Sequence, residues 1–212
     1  MDTQLVADLR TATRTQHEQA EAMPFVGELM AGRVPVEAYV DLLTQHHAIY
    51  GALEAAEPFV RVDTAGATML FDVLSRSAAI EHDLAVLRGP SWRQHGRTLP
   101  ATDRYVDRLL AVAGTWVGGY VAHAYTRYLG DLSGGLAIRS VLRREYGLGD
   151  DALHFYTFPG IAKPKLFKDL YRARLDALPF DDGERARVAE EAGVAFRLNA
   201  EVFADLGAVY LS

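Results

Sequence analysis

Apolar residues recur at spacings of three and four along almost the whole chain. That periodicity belongs to helices that bury one stripe of their surface. Near the N-terminus Leu5, Val6, Leu9, Thr13 and Gln16/His17 follow it until Met23-Pro24, where proline restricts the residue before it. Pro35 reads as a first-turn proline opening a long helix through Tyr39, Leu42, Leu43, His46, Tyr50 and Leu53 to about Glu57, before Pro58. Thr68 to Arg88 reads as another, closed by Gly89-Pro90, and Thr102-Asp103 as the cap of a shorter one ending at Leu110. Two more are expected, from about Lys163 to Leu178 and from about Gly183 to Leu206. No stretch alternates as a strand does, and no Asn-Gly or Asp-Gly hairpin joins two strand-like runs. No repeat or linker divides the chain. The expectation is one all-α domain over residues 1–212.

The composition suits a packed core. A chain of 212 residues buries roughly 70% of its unfolded surface, and half of these residues are hydrophobic, which excludes disorder. Cysteine is absent, so disulfides, thiolate metal sites, iron–sulfur clusters and cysteine nucleophiles are excluded. Twenty-two Lys and Arg against 28 Asp and Glu give a net charge of −6, which argues against binding to nucleic acid or an anionic membrane. Met1-Asp2-Thr3-Gln4 does not open a signal peptide, and no apolar anchor is expected at Ser212. Leu109 to Thr126 lacks any charged residue, but its glycines, His123 and threonines fit a buried interior better than a membrane span.

The unusual segment runs from Trp116 to Tyr146. Both ends are helical in pattern, yet the middle is Gly130-Asp131-Leu132-Ser133-Gly134-Gly135. A glycine inside a helix costs about 1 kcal/mol relative to alanine. The run therefore marks either a break between two helices or close helix packing, or else a helix that bends and lays bare backbone against a flat ligand. Seven histidines are present, but none has Glu three residues before it, as a di-iron bundle would require. The zincin, P-loop, dinucleotide and Gly-x-Ser-x-Gly motifs are all missing. His17 has Glu21 one turn on, where a carboxylate can accept from one imidazole nitrogen and leave the other for a metal. The same spacing also describes an ordinary surface pair. His46, His47 and His82 read as packing or solvated residues.

The run His123-Ala124-Tyr125-Thr126-Arg127-Tyr128-Leu129-Gly130-Asp131-Leu132-Ser133-Gly134-Gly135 resembles the distal-helix signature of the haem oxygenases. Leu9 to His17 with Glu18 to Glu21 is similar to that family's proximal helix. Phe158 to Ala162 and Phe167 to Arg174 resemble its propionate-side segment, and Ala195 to Asn199 its last helix. These matches keep the family's order over nearly the whole chain.

The resemblance implies a helical fold with haem sandwiched between a proximal helix and a kinked, glycine-rich distal helix. It implies oxidative cleavage of haem b, bound as cofactor and substrate, to biliverdin, carbon monoxide and ferrous iron with dioxygen and external electrons. By position, His17 matches the iron ligand and Glu21 the carboxylate on its other nitrogen. Gly130 and Gly134 match the glycines on the haem face, and Asp131 the aspartate that holds distal water. Tyr50, Arg127 and Asn199 match its polar support. Arg10, Arg14, Tyr125, Lys168 and Arg172 match residues near the propionates, and Phe196 an aromatic packed on the macrocycle. Leu136 stands where the family commonly has Gln, and arginine replaces lysine at 10 and 14. The chain carries no flavin or nicotinamide fingerprint, so a ferredoxin or flavoprotein reductase is the expected donor to a cytoplasmic monomer. The competing readings are a haem carrier, which has no need of Asp131, and a helical interaction domain without cofactor.

Overall fold

A computed structural model describes residues 5–212; Met1 to Gln4, where no signal peptide is expected, lie outside the described residues. The described residues form ten α-helices, a few 3₁₀ turns and no strand. The helices are α1 (Leu5–Glu21), α2 (Pro24–Met30), α3 (Val36–Ala55), α4 (Glu57–Val62) and α5 (Ser77–Arg88). They continue as α6 (Trp92–His95), α7 (Pro100–Val112), α8 (Val117–Tyr146), α9 (Pro164–Asp176) and α10 (Asp182–Tyr210). One hydrophobic cluster takes side chains from all ten.

The long helix α10 lies at the centre. It packs against α1 on one side and against α8, α7, α2 and α3 on others. Helix α3 in turn packs against α5, α7 and α8, while α9 bridges α1 and α8. The site described below is framed by α1, α3, α8, α9 and α10.

Proline and polar caps set several helix starts, though not always those expected. Pro35 is the N-cap of α3, and Pro58 opens the short α4 instead of ending a helix. Helix α7 starts at Pro100, because Thr102 uses its hydroxyl to donate to Gln45 Oε1 at 2.8 Å and does not cap. Asp181 caps α10 by accepting from the Glu184 backbone N–H at 2.8 Å.

The expected single helix over 68–88 is not formed. Its first part is two 3₁₀ turns, Gly66–Met69 and Asp72–Leu74, and α5 begins only at Ser77. The buried Arg76 explains the interruption. Its guanidinium takes the carbonyls of Leu74 (3.0 Å) and Val73 (3.2 Å), which a continuing helix would have used. Glu54 Oε1 accepts from the N–H groups of Arg76 (2.5 Å) and Ser77 (3.1 Å), so α5 starts on a side chain from α3.

The glycine-rich run does not break its helix. Helix α8 is continuous from Val117 to Tyr146 and ends on Gly147, whose φ of +66° closes it in the left-handed region. The uncharged stretch 109–126 is divided by the turn between α7 and α8, and most of its α8 part is buried. No helix among the described residues is long and apolar enough to cross a membrane.

Candidate functional site

Two pairs of residues, each one helical turn apart, face each other between α3 and α8. His46 and Tyr50 lie on α3; Arg127 and Asp131 lie on α8. The Tyr50 hydroxyl donates to Asp131 Oδ2. Arg127 Nη2 donates to His46 Nδ1 at 3.0 Å, and Nη1 donates to Asn199 Oδ1 of α10 at 2.6 Å. The guanidinium carbon lies 4.9 Å from the centre of the Tyr50 ring. Phe155 backs this ladder, 5.4 Å from the His46 ring and 5.6 Å from Tyr50.

Burial sets the electrostatics here. It pushes the Asp131 carboxyl above its ordinary value, against the pull of Arg127 and the Tyr50 hydrogen bond. It pushes the Tyr50 hydroxyl well up, with Asp131 adding to the effect. Burial and the Arg127 charge hold His46 well below the usual histidine range, so its imidazole is neutral. For Arg127 burial works against the charge, but Tyr50 and Asp131 outweigh it and keep the guanidinium protonated.

The glycines sort by direction. Gly130 and Gly134 share an exposed face of α8, and a Cβ built on either meets nothing within 4 Å. Gly135 faces the core, where a Cβ would stand 3.0 Å from the Tyr156 ring. Space therefore opens over bare backbone at 130 and 134, with Asp131 turned from it toward α3. A flat group laid on this face would meet main chain, with Asp131 and its Tyr50 partner next to Gly130 along the helix.

A basic flank borders the glycine face. Lys168 Nζ lies 3.2 Å from Ser133 Oγ, tying α9 to α8, and Arg172 follows one turn on, 3.1 Å from Asp169. Burial raises the Tyr125 hydroxyl, while the nearby charges of Arg10 and Arg172 pull it down. Helices α1, α8 and α9 thus bring three of the residues named for the propionates into one neighbourhood. Arg14 is exposed one turn beyond Arg10.

On α1, Leu9, Thr13 and Ala20 are buried and His17 stands at the edge of their stripe. Its side chain is 52% exposed, so the ring is open to an incoming ligand. Nδ1 lies 3.5 Å from Glu21 Oε2, a loose approach that leaves Nε2 free. The Phe196 ring of α10 lies 5.6 Å from the imidazole. Leu136, the family departure, is 65% exposed and displaces none of these groups.

Sequence reading missed one member of this constellation. His46 reads from sequence as a packing or solvated residue, whereas the structure makes it a direct partner of Arg127. The only available signal was its four-residue spacing from Tyr50, which a core histidine shares. The other expected residues fall into a distal ladder (Tyr50, Arg127, Asp131, Asn199), a glycine face, a basic flank and a proximal pair.

Comparisons with known proteins place the whole chain in one family. The family model described as Heme oxygenase matches residues 3–205. Heme oxygenase 1 of Rattus norvegicus is 39% identical over 212 residues, spanning 99% of this chain and 73% of its own. Heme oxygenase 1 of Synechocystis sp. is 34% identical, with 97% of this chain and 86% of its own covered. A crystal structure of heme oxygenase-1 from Synechocystis sp., in complex with heme, superimposes with a TM-score of 0.92 over 97% of this chain and 93% of that one.

Proposed function

This chain belongs to the haem oxygenase family, and on that premise we propose how its own residues bind and cleave haem. It is an enzyme that degrades haem, which is both substrate and cofactor. The reaction consumes dioxygen and external electrons and yields biliverdin, carbon monoxide and ferrous iron. Bound haem supplies the iron that takes up dioxygen and the porphyrin carbon that is oxidised.

The residues present fit that group. Nε2 of His17 is the iron ligand. With Nε2 on a ligand, Nδ1 would carry the proton and direct it at Glu21 Oε2, 3.5 Å away, which fixes the tautomer. Phe196, beside His17, packs on the macrocycle. The open face at Gly130 and Gly134 would admit the flat ring against main chain, and a side chain at either position would occupy that space. Arg10, Arg14, Lys168 and Arg172 bind the propionates, with Tyr125 donating a hydrogen bond. They fix the rotation of the ring and so select the carbon attacked.

Asp131 acts through ordered water at the glycine face. Its carboxylate is held by the Tyr50 hydroxyl and lies in the field of Arg127, while Asn199 anchors that guanidinium. The carboxylate therefore orders that water, through which a proton is relayed, without ligating iron. The open glycine face beside the Tyr50–Asp131 pair is the observation that carries this reading.

The finer assignments belong to the same proposal. The substrate is haem b, and the whole of residues 1–212 is one catalytic domain. Electrons arrive from a ferredoxin or flavoprotein reductase. The enzyme works as a cytoplasmic monomer.

The test is a visible-spectrum time course of the purified protein with one equivalent of haemin, in air, after addition of ascorbate with catalase present. Soret decay with growth of a broad red bilin absorption is expected for the wild type. Asp131→Ala should bind haem and form no bilin. Unchanged bilin output from that variant would remove the role given to Asp131. A Soret band that forms and persists in the wild type, with a reductase as well as ascorbate, leaves a haem carrier. No Soret band at all refutes the His17 assignment.

A further inference from the structure

Arg127 is buried, carries a full positive charge and has no carboxylate within ion-pair distance among the described residues. Its two terminal nitrogens end on neutral acceptors, Asn199 Oδ1 and His46 Nδ1. We propose that His46 is a positioning residue of the distal network. Its neutral imidazole, with Nδ1 bare and the proton on Nε2, holds the Arg127 guanidinium in place without neutralising it.

The neutrality of the acceptor is the point of the arrangement. A carboxylate at 46 would form a closed ion pair with Arg127 and quench the charge that acts on Asp131. A leucine would fill the space but leave Nη2 unbonded on a buried guanidinium whose Nε already lacks a hydrogen-bond partner. The imidazole avoids both outcomes, and its burial, with the Arg127 charge at Nδ1, keeps it from protonating. Its ring is locked edge-on against Tyr50 at 6.3 Å, and Phe155 lies 5.4 Å away on another side, so Nδ1 has one direction to face. Because His46 and Tyr50 share one face of α3, a single helix fixes both rungs of the ladder.

This inference rests on the distal role given above to Asp131, so its test separates the two. The first measurement is ¹⁵N NMR of the haem-free protein at neutral pH. The expected result is a His46 ring with Nδ1 unprotonated and Nε2 protonated; a protonated Nδ1 overturns the proposal without any variant. The second compares His46→Leu with His46→Asn, whose Oδ1 stands two bonds from Cβ as Nδ1 does. His46→Leu should bind haem as the wild type does yet cleave it about tenfold more slowly, the scale of one lost hydrogen bond to a charged group. His46→Asn should restore most of that rate. If the two variants behave alike, or if haem affinity falls along with rate in both, His46 is only a packing residue and the proposal fails. A wild type that binds haem without cleaving it overturns the reading of Asp131. A cleaving wild type matched by His46→Leu overturns the role of His46 alone.

Discussion

Burial and charge pull Asp131 in opposite directions, and burial prevails, so this carboxyl ionises above the ordinary carboxylate range of about 4. In the role proposed for it, Asp131 works as the carboxylate that accepts from Tyr50. Haem cleavage should therefore decline on the acid side as pH falls through that raised value. Arg127→Met removes the charge that opposes burial, so the acid limb of its pH–rate profile should move to higher pH; an unmoved limb would mean that Asp131 does not set it. The glycines make a second contrast at this scale. Alanine at 130 or 134 meets no neighbour and should raise the stability of the haem-free protein by up to about 1 kcal/mol, while slowing haem cleavage. Alanine at 135 presses on the buried Tyr156 ring and should cost about 1 kcal/mol. Urea denaturation of the three variants separates space kept for a ligand from space already filled. The sequence motif named all three glycines together. Only the direction each one faces distinguishes them, and direction depends on what packs against the helix. His46 was hidden for the same reason, since a histidine on a buried helical face reads alike whether it fills space or orients an arginine.

Helix existence was legible almost throughout, because periodicity and proline record local preferences that the fold keeps. The failure at 68–76 has a single physical cause. Arg76 spends its donors on four carbonyls, adding those of Phe155 (3.2 Å) and Thr157 (2.8 Å) to those of its own turn, and it stacks 4.0 Å over Phe158. These partners lie some 80 positions away, so no local window reveals them. The clamp also holds the strip that carries Phe155 against the ladder. Arg76→Met keeps much of the volume but leaves those carbonyls without donors. It should cost about 3 kcal/mol in urea denaturation, through desolvated acceptors rather than lost packing. A cost below that of an ordinary surface substitution would show that water replaces the guanidinium freely. The unbroken course of α8 through its glycines is the opposite lesson. Intrinsic propensity left helix and break equally open, and packing on α10, α7 and α3 resolved the choice in favour of helix.

Acid stability is a property of the whole molecule, and one buried network contributes to it distinctly. Glu191 of α10 accepts from His123 of α8 at 3.0 Å and from Arg108 of α7 at 2.9 Å. Burial would raise its pKa, but His123 and Arg108 outweigh burial and lower it from 4.5 to about 2. A carboxylate depressed on folding stabilises the native state above its unfolded value. That contribution is lost as pH falls from about 4.5 through about 2. Glu191→Gln should therefore lower the melting temperature near neutrality and flatten its decline across that window, as differential scanning calorimetry at several pH values would record. An equally steep decline in the variant would assign acid unfolding to other carboxylates.

Helix α10 carries Phe196, beside the proximal imidazole, and three residues later Asn199, on the distal guanidinium. Both walls of the cleft thus hang from a single turn of one rod. A substitution that tilts this turn should therefore disturb both walls together, so neither face of a flat substrate can be adjusted from here without the other.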